Sequence, residues 1–149
     1  MDKLNPVQRS KNMAAVQGKN TTPEIRVRRM LNKMGYRFRL HRKDLAGKPD
    51  IVLPRFRLCI FVHGCFWHQH PGCKRATIPE FNHEFWVKKF QGTMERDEHA
   101  EKELRQQGWN VCIIWECETK KEELLIRTIR RCIGSITSLY SGFRQSMPE

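Results

Sequence analysis

The sequence predicts an α/β domain with a mixed sheet flanked by helices, and three observations carry that expectation. Periodicity reads as helix, three strands, helix, strand and helix. The long helical stretch between the third and fourth strands lets that pair run parallel through a right-handed crossover. The 149 residues, 39% of them hydrophobic, contain no Pro/Gly/Ser-rich break and no internal repeat, so one core is expected.

The first twenty residues are polar and basic, with Gly18 and Asn20 near their end, and read as an arm that orders on a partner. Thr22-Pro23-Glu24 announces the first helix, with Thr as N-cap, Pro at the first helical position and an acid at the positive end of the dipole. Val27, Leu31 and Met34 recur at helical spacing, Met30 supports them, and Gly35 closes the helix. Tyr36, Phe38 and Leu40 alternate with Arg37 and Arg39, which predicts a strand with one buried face. Two further strands, about Asp50 to Leu53 and Leu58 to His63, flank the short Pro54-Arg55-Phe56-Arg57 turn as a hairpin. Glu84 to Gln107 is helical in composition, ends at Gly108 and carries a break signal at Gly92. Trp109 to Trp115 reads as a buried strand and Glu122 to Cys132 as an amphipathic helix.

The net charge is +12, and residues 1 to 43 hold twelve Lys/Arg against two acids. A polyanion is the natural partner, and nucleic acid the usual one, although charge alone does not separate DNA from RNA. No apolar stretch approaches the roughly 20 residues needed to cross a bilayer, and Met1 to Pro6 lack the apolar segment of a signal peptide. A cytoplasmic protein with no membrane partner is therefore expected. In that reducing compartment the six cysteines favour metal ligands and buried thiols over disulfides, with Cys59 and Cys112 as core residues and Cys132 giving no signal.

The run from Phe61 to Cys73 gathers His63, His68 and His70 with Cys65, Cys73, Phe66 and Trp67 just after an apolar strand. Cys65, His70 and Cys73 are spaced as ligands of a tight metal loop, and Cys117 supplies a fourth donor within Trp115-Glu116-Cys117. Four protein ligands would make that site structural. His68 is then free for chemistry, although it could replace His70 as a ligand. Gly47-Lys48-Pro49-Asp50 places a carboxylate at the start of a strand, where it could hold a divalent cation or serve merely as a turn residue.

Ser10-Lys11-Asn12-Met13, Gly47-Lys48-Pro49-Asp50, Phe61 through His68, Glu84-Phe85-Trp86, Glu95-Arg96-Asp97 and Gly108-Trp109 through Trp115-Glu116-Cys117 resemble the blocks of the very short patch repair endonucleases. The similarity runs in order over roughly residues 9 to 119 and implies a restriction-endonuclease-like fold of the PD-(D/E)XK group, lacking the usual second acid and lysine on the third strand. The expected organisation is a basic N-terminal DNA-binding arm over 1–20, an endonuclease domain over 21–135 and a C-terminal tail over 136–149 that lies outside the resemblance.

The activity implied is a Mg²⁺-dependent nick in duplex DNA, 5′ of the thymine in a T·G mismatch left by deamination of 5-methylcytosine. The protein would act as a monomer on the nucleoid, with mismatch-repair proteins as further partners. By position, Asp50 and the main-chain carbonyl of Val62 would bind Mg²⁺, with Glu24 reaching its water shell. His68 would act on the attacking water and His63 near the phosphate. Zn²⁺ would be held by Cys65, His70, Cys73 and Cys117, with Pro71-Gly72 lengthening the loop by one residue relative to some relatives.

Phe66, Trp67 and Trp86 match the positions that wedge into the base stack, whereas Phe85, Trp109 and Trp115 read as core. Arg9, Lys11, Asn12 and Met13 would clasp the opposite groove, and Lys89 would lie near the T·G pair. Thr93 stands where relatives commonly carry Asn, with one donor and one acceptor fewer. Two rivals are a nuclease of the same fold without mismatch dependence, of the restriction or mobile-element kind, and a zinc-stabilised DNA-binding module without catalysis.

Overall fold

A four-stranded sheet in the order β1-β2-β3-β4 forms the centre of the computed structural model, which describes residues 20–139. The strands are β1 (Arg39–Leu40), β2 (Ile51–Leu53), β3 (Leu58–His63) and β4 (Asn110–Trp115), and the helices are α1 (Thr22–Lys33), α2 (His83–Gln106) and α3 (Glu122–Leu139). Strands β1, β2 and β3 pair antiparallel, whereas β3 and β4 run parallel across the α2 crossover, so the sheet is mixed as its element order requires.

Burial on both faces explains why β2 and β3 carry near-continuous apolar runs. One face sends Ile51, Leu53, Leu58, Ile60 and Ile114 into a core shared with Val27 and Leu31 of α1 and Leu125, Ile129 and Ile133 of α3. The alternate residues Val52, Cys59 and Phe61 pack on the other face with Leu45 of the β1–β2 loop and Leu104 of α2. Residue period two thus distributes a single apolar strand between two helical layers.

Several boundaries differ from the sequence expectation. The N-cap of α1 is Thr21, one residue earlier than expected, because its hydroxyl is the one that reaches the Glu24 amide (3.4 Å). Gly35 does close the helix, at φ +86°. The strand expected over Tyr36 to Leu40 shortens to two residues with Leu40 exposed, since only Arg39 and Leu40 pair with β2. Helix α2 passes through Gly92 without a break, and α3 continues to Leu139 with Ile136 buried. Cys112, expected as a core thiol, forms a disulfide with Cys132, which gave no signal in the sequence, where α3 lies on β4, with Cα atoms 6.0 Å apart. Phe85 lies on the outward side of α2 and is 53% exposed rather than in the core.

The backbone before Asp50 is tightly constrained. Gly47 has φ +73°, and a Cβ built there would lie 2.6 Å from the Cβ of Ala100 and 3.2 Å from the Phe61 ring. Only glycine lets this loop approach α2 so closely, and that approach delivers Asp50 to the position just before β2.

Candidate active site and metal centre

The site grows from the shared end of β2, β3 and β4. Parallel β3 and β4 end level with each other, His63 opposite Trp115, so the loops that follow both strands leave the sheet side by side. This brings Cys65, just beyond β3, next to Cys117, just beyond β4. Asp50 enters from the antiparallel neighbour, where its carboxylate accepts the Val62 amide at 2.8 Å.

Cys65, His70, Cys73 and Cys117 converge with their donor atoms all within 4.8 Å of one another. The Nδ1 atom of His70 lies 3.7 Å from the Cys65 sulfur and 3.5 Å from the Cys117 sulfur. His70 is aligned by the parallel face of Trp115, 4.2 Å between centroids, and the Cys117 amide donates to the Cys65 sulfur at 3.4 Å. Burial, then the neighbouring Cys65 and Cys73 thiols, push Cys117 up to about 12, whereas the Arg75 amide bonded to Cys73 lowers that thiol. The arrangement can hold a tetrahedral metal ion. Of the two histidines the spacing left open, His70 lies among the thiols and His68 outside them.

His68 instead stacks on His63, with centroids 3.7 Å apart and planes 4° from parallel. Its Nδ1 lies 2.6 Å from Asp97 of α2, and the same carboxylate stands 4.0 Å from His63. Asp97 was visible in the sequence only as part of Glu95-Arg96-Asp97; nothing in helical periodicity singles it out, because its role arises from α2 crossing the loop. Burial, reinforced by the His68 charge, pulls His63 down to about 4, so this ring is neutral near pH 7.

A third group lies on the α1 side of Asp50. Glu24, 2% exposed, shares its Oε2 with the Asn20 amide (3.1 Å), Arg28 and His41 (3.0 Å). Donor atoms of Glu24, His41 and Asp50 lie within 4.8 Å of one another. Burial first, then the nearby Glu24 charge, push Asp50 up to about 7 against the opposing Val62 hydrogen bond. A cation there would relieve both causes. His41 carried no motif in the sequence and was missed.

The aromatic positions separate by depth. Phe66 and Trp67 are half-buried and in edge contact, 5.1 Å between centroids. Trp86 lies beneath them at 2% exposure, 5.6 Å from Phe66 and 6.1 Å from Trp67. Trp109 packs beside the second core and under the Arg57 guanidinium at 4.7 Å. Lys89 and Thr93 lie one turn apart on α2, with the Thr93 hydroxyl donating to the Lys89 carbonyl at 3.0 Å. Arg9, Lys11, Asn12 and Met13 lie outside the described residues.

A mixed sheet that brings a half-buried carboxylate, a histidine paired with an aspartate and a four-donor thiol site to one edge has the groups that a hydrolase needs. Residues 1–75 match the family model described as DNA mismatch endonuclease Vsr. The type II nicking enzyme V.XorIIP of Xanthomonas oryzae pv. oryzae is 49% identical over 117 residues, 78% of this chain and 85% of that protein. The DNA mismatch endonuclease Vsr of Escherichia coli is 40% identical over 117 residues, 78% of this chain and 74% of that protein. Type II nicking enzyme V.NmeAIP of Neisseria meningitidis is 39% identical over 124 residues, covering 83% and 88% respectively. The chain belongs to the Vsr DNA mismatch endonuclease family and is a nuclease that acts on DNA. Among the described residues no helix is long and apolar enough to cross a membrane.

Proposed function

We propose that this nuclease nicks one strand of duplex DNA on the 5′ side of the thymine in a T·G mismatch produced by deamination of 5-methylcytosine. The observation that carries the reading is the continuous set Asp50, Val62, His63, His68 and Asp97, joined by the Val62 bond, the imidazole stack and the His68–Asp97 pair. Such a set meets the two needs of phosphodiester hydrolysis, charge neutralisation and an activated water.

Asp50 and the Val62 carbonyl would hold Mg²⁺, with Glu24 behind. The fit rests on Asp50 itself, a half-buried carboxylate whose ionised form gains only one amide donor in return for lost water. When bound, Mg²⁺ neutralises phosphoryl charge and polarises water. The remaining work belongs to side chains. Asp97 accepts the Nδ1 proton of His68, which leaves Nε2 with its lone pair to take a proton from the attacking water. His63, neutral and stacked on His68, braces that ring without adding a second positive charge.

The thiol site fits zinc. Metal–sulfur and metal–nitrogen bonds of ordinary length at a tetrahedral angle predict sulfur-to-nitrogen edges of about 3.6 Å, which the His70 separations of 3.7 and 3.5 Å match. Closing this site ties the His68 loop to the end of β4, so zinc would position the base without touching the substrate.

Phe66 and Trp67 would wedge into a base stack, a role supported by their half-exposed rings lying over the buried Trp86. A mismatch opens more cheaply than a paired step, which turns deformability into preference. The domain over 21–135 would carry the chemistry and the basic arm over 1–20 would supply phosphate contacts, acting as a monomer. Mismatch-repair proteins are proposed as later partners. The test is single-turnover nicking of T·G and matched duplexes with Mg²⁺, by wild type and Trp67→Ala. Preference for T·G that falls in Trp67→Ala supports the reading. Equal rates on both duplexes favour a nuclease without mismatch dependence, and DNA binding without cleavage favours the non-catalytic module.

A further inference from the structure

His41 lies just past β1, where its amide donates to the Asp50 carbonyl at 3.2 Å and extends the β1–β2 ladder by one pair beyond Leu40 and Ile51. Its φ is +48°, a left-handed backbone that histidine adopts at a cost. Held in that conformation, the side chain points back across the ladder to Glu24 of α1.

The hydrogen bonding there is internally inconsistent. The Nε2 atom of His41 lies 3.0 Å from Glu24 Oε2, which can only accept, and 3.2 Å from a terminal nitrogen of Arg28, which can only donate. A single ring nitrogen cannot donate to one and accept from the other. The same Arg28 nitrogen also contacts Glu24 and Asn20 Oδ1, while Arg28 Nε is buried without a partner. One positively charged nitrogen therefore occupies the point where two oxygens and an imidazole nitrogen converge. A divalent cation in its place would let Glu24 and His41 both present lone pairs, and would free Arg28 to turn its guanidinium outward.

We propose that His41 is a nitrogen ligand of the divalent cation at Asp50 and Glu24, with Arg28 holding those donors until the ion displaces it. The inference rests on the reading of Asp50 as the cation carboxylate. An imidazole donor favours Mn²⁺ over Mg²⁺, which prefers oxygen, so the site is biased toward manganese.

The test titrates Mn²⁺ into the full-length, zinc-loaded protein and follows bound Mn²⁺ by pulsed electron paramagnetic resonance. Wild type is expected to show ¹⁴N coupling from a bound imidazole. In His41→Gln that coupling is lost and Mn²⁺ affinity falls about tenfold, whereas Mg²⁺ affinity moves much less. His41→Asp restores Mn²⁺ affinity without the nitrogen coupling. Unfolding midpoints and zinc content of each variant establish that the fold is retained. Absence of ¹⁴N coupling from Asp50-dependent Mn²⁺ in wild type, or its persistence in His41→Gln, overturns the assignment while leaving Mg²⁺-dependent nicking intact. If Asp50→Asn changes neither ion binding nor nicking, the underlying reading of the cation site fails as well.

Discussion

Replacing Asp97 by asparagine isolates the contribution of the histidine–aspartate pair. The His68 Nδ1 to Asp97 Oδ2 distance is 2.6 Å and each side chain is about a quarter exposed, so the bond is short, charge-assisted and only partly screened by water. Hydrogen bonds to charged groups contribute about 1.5 to 3 kcal/mol net, and partial exposure argues for the lower part of that range. At about 1.4 kcal/mol per decade, single-turnover nicking should slow by about one to two decades. An asparagine amide can also donate to Nδ1, which would place the ring proton on Nε2 and remove the base altogether, so a larger loss is consistent with the same cause. The assay is single-turnover nicking of a Mg²⁺-supplied T·G duplex, with DNA affinity, melting temperature and zinc content measured in parallel. Affinity should hold or rise, because the substitution removes a negative charge near a polyanion. In the double variant His68→Ala/Asp97→Asn the rate should match His68→Ala alone, since a positioning residue has nothing to position once the ring is gone. Asp97→Asn nicking at the wild-type rate, or losses that add in the double variant, would refute the role of Asp97.

Cys117→Ser should lose zinc and thermal stability together, by elemental analysis and calorimetry, while Cys112→Ser should keep its zinc because the disulfide is separate from the four-donor site. Asp50→Asn should stabilise the protein measured without divalent ions, and the gain should depend on pH. Asp50 is raised from 3.8 to about 7, so its protonated form is the one the fold accommodates. Stability is full below the unfolded value and falls as pH rises through the folded one. The gain should be absent near pH 3, grow between about 4 and 7 and then level off, at no more than about 4 kcal/mol in denaturant titrations across pH. Gly47→Ala should destabilise by about 2 to 3 kcal/mol in chemical unfolding, combining a positive φ with a Cβ 2.6 Å from that of Ala100.

The fold was legible in this sequence because its signals are local. Apolar runs at β2, β3 and β4, the periodicity of α1 and the long polar helix before β4 state element type and order, and chain handedness then leaves few ways to arrange them. The errors at boundaries came from competition that propensity does not contain. Gly92 is carried through α2 by the packing of Trp86, Phe90, Ala100 and Leu104 around it, and Tyr36 to Leu40 lacks a partner strand for most of its length. The disulfide was unreadable because Cys112 and Cys132 meet only when α3 docks on β4.

The candidate site divides in the same way. The sequence alone determined that a thiol and imidazole loop follows an apolar strand, that a carboxylate opens another and that the first 43 residues are strongly basic. Chemistry-bearing residues at short spacing can be recognised because their types are rare and their reach is fixed by a few bonds. Tertiary structure placed His70 beside the thiols and His68 against Asp97. It also decided that Trp86 lies beneath Phe66 and Trp67, and that His41 faces Glu24 and Asp50. These contacts join residues tens of positions apart through a crossover, a cross-strand pair and a helix face. Their distances are set by how layers pack, which no spacing along the chain encodes.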